Sequence, residues 1–125
     1  MAKFTNKIEM NKSRRKELRE VLETVISLKD SEISDDIQQS LRNAAKILEE
    51  ITDDEQMALD NLPENLMWSA RADTFHDNLD NLLDAQVDLG MVLDAYEHAK
   101  ENPYESVKDE IMSVIRNCTE AIERR

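Results

Sequence analysis

Apolar residues recur at Ile37, Leu41, Ala44, Leu48, Ile51, Ala58 and Leu62, in alternating steps of four and three. The one break is Glu55, a carboxylate in an apolar slot. A second series, Ala72, Phe75, Leu79, Leu82, Leu89, Leu93 and Tyr96, keeps the same period, with Gln86 in its one polar slot. Apolar stripes of this period sustained over several heptads are helical. The link Asn61-Leu62-Pro63-Glu64-Asn65-Leu66 contains a proline that biases the residue before it out of helical geometry. Together these features predict an antiparallel helical hairpin.

Two shorter stripes flank it. Leu18, Val21, Leu22, Val25 and Leu28 predict a first helix that ends near residue 29. It starts either at Ser13, which can serve as N-cap, or near Thr5, because Phe4 and Ile8 lie one turn apart. Val107, Ile111, Val114, Cys118 and Ile122 mark a fourth helix. Its start carries a strong stop-and-start signal: Asn102 at N-cap, Pro103 at N1 and Glu105 at N3. Ser34, followed by Asp35 and Asp36, caps the second helix, and Ser69 the third. The expected spans are 5 or 13–29, 34–62, 69–101 and 103–123. Short connectors turn each helix back along the one before. The fold class is therefore all-α, an antiparallel up-down four-helix bundle in one domain over residues 1–125. Gly90 falls inside the third helix, and its register predicts close packing against Leu41.

Composition sharpens this picture. The chain has 125 residues, one glycine and two prolines, so loop chemistry is scarce and the core is aliphatic. Its single cysteine, Cys118, has no partner for an internal disulfide and recurs on the apolar face of the fourth helix. The N-terminus lacks an apolar leader and no run reaches transmembrane length, so a soluble, cytoplasmic protein is expected. Charge is uneven within a net of −12. Through Glu20 there are seven cations and three carboxylates, whereas from Ile47 to Ala99 Arg71 is the one cation among fourteen carboxylates. We favour the longer first helix, which sets the basic head, including Arg14 and Arg15, against Glu49, Glu50 and Asp53.

Asp73, Asp77, Asp80, Asp84 and Asp88 form a row on the third helix, at outward positions when Phe75, Leu82 and Leu89 face the core. A solvated helix face is the simplest account. Yet aspartate is a poor helix former, and like charges three or four apart cost about 0.2–0.5 kcal/mol each. The row is thus also a candidate surface for a basic partner. Leu66, Met67 and Trp68 cluster at the turn with Leu62, either sealing the end of the hairpin or exposing an apolar docking tip. Glu55 is expected to hold register by a buried contact with His76 or Arg71.

Other chemistries lack parts. Glu50-x-x-Asp53 with Asp77-x-x-Asp80 superficially resembles the paired acidic motifs of all-α nucleoside triphosphate pyrophosphohydrolases, which hold Mg²⁺. That family has Glu at both ends of its first motif, and here the four carboxylates point outward on separate faces. A ferritin-like di-iron site needs two Glu-x-x-His motifs, and Asp73-x-x-His76 is the nearest approach. Two histidines and a core cysteine, without a glycine-rich loop, assemble neither a nucleophilic triad nor a phosphate cradle. No catalytic residue, cofactor or metal site is assigned. Direct nucleic-acid binding is disfavoured, because the basic cluster Lys12 to Arg19 lacks stacking aromatics and sits on an acidic body.

The segment Asp60-Asn61-Leu62-Pro63-Glu64-Asn65-Leu66, followed by Ser69, Arg71 and Asp77-Asn78-Leu79-Asp80-Asn81-Leu82-Leu83-Asp84-Ala85, resembles small acidic helical proteins of bacteria and their phages. These share a D-N-L-P-E-N-L turn, then S-x-R and an acidic helix rich in alanine and leucine. The resemblance spans about Ile47 to Tyr96. Met67 and Trp68 stand where those proteins often have a polar residue. No established activity attaches to the family, so the resemblance implies a phage- or mobile-element-associated protein and no chemistry.

The expectation is therefore a non-enzymatic acidic protein that acts by protein–protein interaction or assembly, with homodimerisation as one form and no membrane association. Two alternatives stand beside it: a nucleic-acid-mimicking inhibitor that occupies a basic groove, as some phage counter-defence proteins do, and an Mg²⁺-dependent nucleotide hydrolase.

Overall fold

The computed structural model describes residues 12–123. Those residues are all-helical, with four α-helices and no strand: α1 Lys12–Ser27, α2 Asp35–Asp60, α3 Ala70–His98 and α4 Lys108–Glu123. Short 3₁₀ turns at Leu28–Asp30, Glu64–Leu66 and Tyr104–Val107 occupy the connections. α1 packs on α2, α2 on α3, α3 on α4 and α4 on α1, so the helices close a ring around a common core. That core takes Leu18, Val21 and Val25 from α1, Leu41, Leu48 and Ile51 from α2, Leu82, Leu89 and Tyr96 from α3, and Ile111, Val114 and Cys118 from α4.

Ser34 and Ser69 cap α2 and α3 as expected. Ser34 Oγ accepts from the Ile37 amide at 3.2 Å, with Asp35 and Asp36 in the first turn of α2. Ser69 Oγ accepts from the Ala72 amide at 3.3 Å. Asn102 Oδ1 accepts from the Tyr104 amide at 3.0 Å, and its Nδ2 donates to the Ser31 carbonyl, also at 3.0 Å, tying two connectors together. The fourth helix does not start at Pro103, however: a 3₁₀ turn over Tyr104–Val107 comes first, and α4 begins at Lys108. Gln38 Nε2 donates at 2.9 Å to the Tyr96 carbonyl, one of the acceptors that the end of α3 leaves open. Ser13 lies inside α1, after helical Lys12, and so is not its N-cap. A start near Thr5 lies outside the described residues.

α3 spans 29 residues, about 44 Å. Because it packs on both α2 and α4, its buried stripe is wider than one heptad seam. Asn78, Leu82, Ala85, Leu89, Val92 and Tyr96 form the buried line through its middle, while Phe75, Gln86 and Leu93 are only half-buried. Near its start, Ala72 and Leu79 join Leu59, with Leu62 and Phe75 packed on them, in a separate small core under the turn.

Gly90 overturns an expectation. It lies one residue past Leu89, about 100° round the helix from the buried line, and is exposed. A Cβ built there would meet nothing within 4 Å, so the glycine serves no internal close packing against Leu41. Its φ is not positive, so alanine fits the same backbone. Gly90→Ala is expected to stabilise the fold by about 1 kcal/mol. Urea unfolding checks this: the midpoint should rise at unchanged slope.

Candidate functional site

Glu55, the carboxylate in the apolar seam of α2, is fully buried. A carboxylate removed from water requires a countercharge and hydrogen-bond donors. Arg14 Nε donates to Glu55 Oε1 at 2.8 Å, with the arginine side chain 19% exposed and the glutamate 0%. Asn78 Nδ2 donates to Oε2 at 3.3 Å from the buried line of α3. One carboxylate thus joins α1, α2 and α3. The expected partner His76 is exposed and faces away, two residues from Asn78 on the other side of α3. Arg71 is half-buried in the first turn of that helix. Of the basic head, Arg14 meets Glu55, while Lys3 and Lys7 lie outside the described residues; Glu49, Glu50 and Asp53 are exposed.

The turn divides its apolar residues. Leu62 packs inward, Leu66 is half-buried, Met67 is exposed, and Trp68 is 95% exposed. The local backbone causes this split. The Leu66, Met67 and Ser69 amides donate to the Pro63, Glu64 and Leu66 carbonyls at 2.8, 3.2 and 3.1 Å, winding a tight turn that ends at the Ser69 cap. Trp68, just before that cap, is turned outward. It does not seal the end of the helices, and Met57 on the last turns of α2 is exposed near the same end of the chain path.

Four of the five aspartates take the outward positions expected of them. Asp73, Asp77, Asp80 and Asp84 are exposed and Asp88 is half-buried. None of the five forms an ion pair or a side-chain hydrogen bond among the described residues. Between them and the far flank of α3 runs a line that the heptad reading missed: Leu83, Val87 and Met91, which are 51%, 61% and 52% exposed. Their four-residue spacing is plain in the sequence, but they fall off the heptad seam that marks the core.

Glu50 and Asp53 are exposed on α2, and Asp77 and Asp80 on α3. Among the described residues no group of three or more His, Cys, Asp or Glu side chains is placed to hold a metal ion. Two shallow grooves, of about 210 Å³ between α1 and α2 and about 260 Å³ between α1 and α4, fall below the roughly 300 Å³ at which small-molecule sites begin. Among the described residues no helix is long and apolar enough to cross a membrane.

Comparisons with protein-family models, with curated proteins and with solved structures give no match.

Arg14→Met strands the Glu55 carboxylate and is expected to cost about 3 kcal/mol, the low end for a broken buried pair because Arg14 keeps some water contact. The double variant Arg14→Met/Glu55→Leu should recover most of that loss in chemical denaturation, and a double variant no more stable than the single one would refute the pairing. Burial pushes the Cys118 thiol up to about 12. It likewise raises Tyr96, with Tyr104 adding to the effect, and the Tyr96 hydroxyl is buried without a hydrogen-bond partner among the described residues. Both groups hold their protons more tightly folded than unfolded, so stability is full below about pH 9 and falls as pH climbs toward about 12. Thiol labelling at pH 8 should accordingly be slow in the folded protein and fast in denaturant.

Proposed function

We propose that this chain is a non-catalytic protein-contact module, one domain over residues 1–125, which meets its partner through the turn before α3 and through α3 itself. The observation that carries the reading is Trp68. A tryptophan left 95% exposed, beside exposed Met67, buries nothing of its own fold, and tryptophan is among the residues that anchor interfaces most strongly. An up-down-up-down course of the helices belongs to the same proposal. It is supported by Gln38 and Arg42 near the start of α2, which reach Tyr96 and Glu97 near the end of α3. At the other end, Glu55 meets Asn78, and Arg14 at the start of α1 meets Glu55 late in α2. That course sets the turn at one end of the bundle as a projecting point of contact.

The D-N-L-P-E-N-L resemblance supports a phage or mobile-element origin. A cytoplasmic setting is the companion proposal, suited to a chain with one cysteine and no disulfide of its own. A second reading, mimicry of nucleic acid, is favoured by the exposed aspartates that lack ion pairs among the described residues. The two readings part on salt: a mimic's complex weakens steeply as ionic strength rises, whereas an apolar anchor is nearly indifferent to it.

The decisive variant is Trp68→Ser, combined with Met67→Ser. Both side chains are exposed, so the thermal unfolding midpoint should stay within about a degree. Capture of partners from the native host, together with the solution mass of the purified chain, should show at least a tenfold loss of complex or oligomer. Complexes of unchanged amount and salt response would refute the role of the turn.

A further inference from the structure

We infer that the outer face of α3 docks a basic amphipathic helix of a partner protein. The inference rests on the protein-contact reading but not on Trp68. Three observations converge on one face. Leu83, Val87 and Met91 stand four residues apart, making an exposed apolar ridge about 12 Å long. Asp80, Asp84 and Asp88 form the adjoining four-residue row, and none has an ion-pair partner among the described residues. Gly90 lies on the other flank, three residues after Val87 and seven after Leu83, followed by exposed Asp94.

The glycine is the informative member. It weakens its own helix, and a Cβ there would touch nothing in this protein, so internal packing gives no reason for it. Bare backbone beside an apolar ridge lets another main chain or a large side chain come close. Ridge and notch together are the surface that helix-on-helix packing uses, with a four-residue ridge of one helix set into the groove of the other.

Charge names the occupant. The ridge is bordered by Asp80, Asp84 and Asp88 on one side and on the other by Asp94, which stands 3.2 Å from the His98 imidazole, and Arg71 at the start of α3 is the only lysine or arginine on that helix. A second copy of this chain would set these carboxylates against their own kind, which costs energy at close range. A helix with apolar residues at i, i+4, i+7 and i+11 and lysine or arginine along the border that meets Asp80, Asp84 and Asp88 matches the ridge and neutralises that row. The apolar ridge also separates this surface from a nucleic-acid mimic, whose face needs charge alone.

The test uses the full chain and two synthetic peptides of one composition, rich in leucine, lysine and arginine. In one the leucines follow the i, i+4, i+7, i+11 pattern; in the other the order is scrambled. Calorimetric titration at 150 mM salt should show the patterned peptide binding at least tenfold more tightly. Val87→Ser should weaken it about tenfold, and Gly90→Ala should weaken it several-fold while raising the thermal midpoint, which separates docking from stability. Trp68→Ser should leave it unchanged, so this inference and the role of the turn fail separately. Equal binding of the two peptides overturns the proposal and leaves an acidic surface only. Unchanged binding by Val87→Ser overturns it, as does a dimer of the chain alone that Val87→Ser dissociates, which would make a second copy the occupant.

Discussion

A fully buried carboxylate determines how this bundle can be assembled. Glu55 sits where the apolar seam of α2 calls for a leucine, and in that position it is tolerable only if charge and donors reach it. Arg14 brings the charge from α1 and Asn78 brings a donor from α3. Sliding either helix by one turn would separate these groups and leave the carboxylate unsatisfied. Leucine and isoleucine fill space in many registers, whereas this contact admits one. At the far end of the same two helices Gln38 on the Tyr96 carbonyl and Arg42 on Glu97 fit the same register.

With that register held, α3 divides into an inner and an outer side. Asn78, Leu82, Ala85, Leu89, Val92 and Tyr96 are taken up by the neighbouring helices. What remains outside is unusual for a solvated helix: three large apolar residues, a glycine and a run of aspartates without lysines among them. Each is locally unfavourable, through poor helix propensity, like-charge repulsion or exposed apolar area. A surface carrying all three costs stability that the bundle does not recover within itself. Such local conflicts concentrate at sites of function, which is the ground for reading the outer face of α3 as a place of contact.

Much of the architecture was legible from periodicity. The stripes of α1 and α4 place their buried residues correctly, since each shows one apolar face; that of α2 does so from Leu41 to Glu55, but takes half-buried Ala58 in place of buried Leu59 and passes over Thr52. The caps at Ser34 and Ser69 form, whereas the fourth helix starts later than Asn102 implies. α3 was harder because it packs on two helices. Small Ala85 and polar Asn78 hid the buried line, while exposed Leu83, Val87 and Met91 blurred the contrast between its faces. Gly90, next to Leu89 on this blurred boundary, looks internal by register and is exposed. The partner of Glu55 was illegible because Arg14 lies 41 residues away, and no local pattern links positions on different helices. Trp68 at the turn was left between two readings because exposure depends on how a few turn residues wind. The outward placement of Asp73, Asp77, Asp80 and Asp84 was legible, because a core that excludes carboxylates leaves them one side.

Hydrogen–deuterium exchange on the chain in complex with a partner taken from its native host tests the central claim most directly. The account expects new protection in two places, residues 80–94 of α3 and the turn around residues 66–69, with the rest of the bundle exchanging as it does alone. Protection confined to α1 and α4, with both of those regions unchanged, would contradict it.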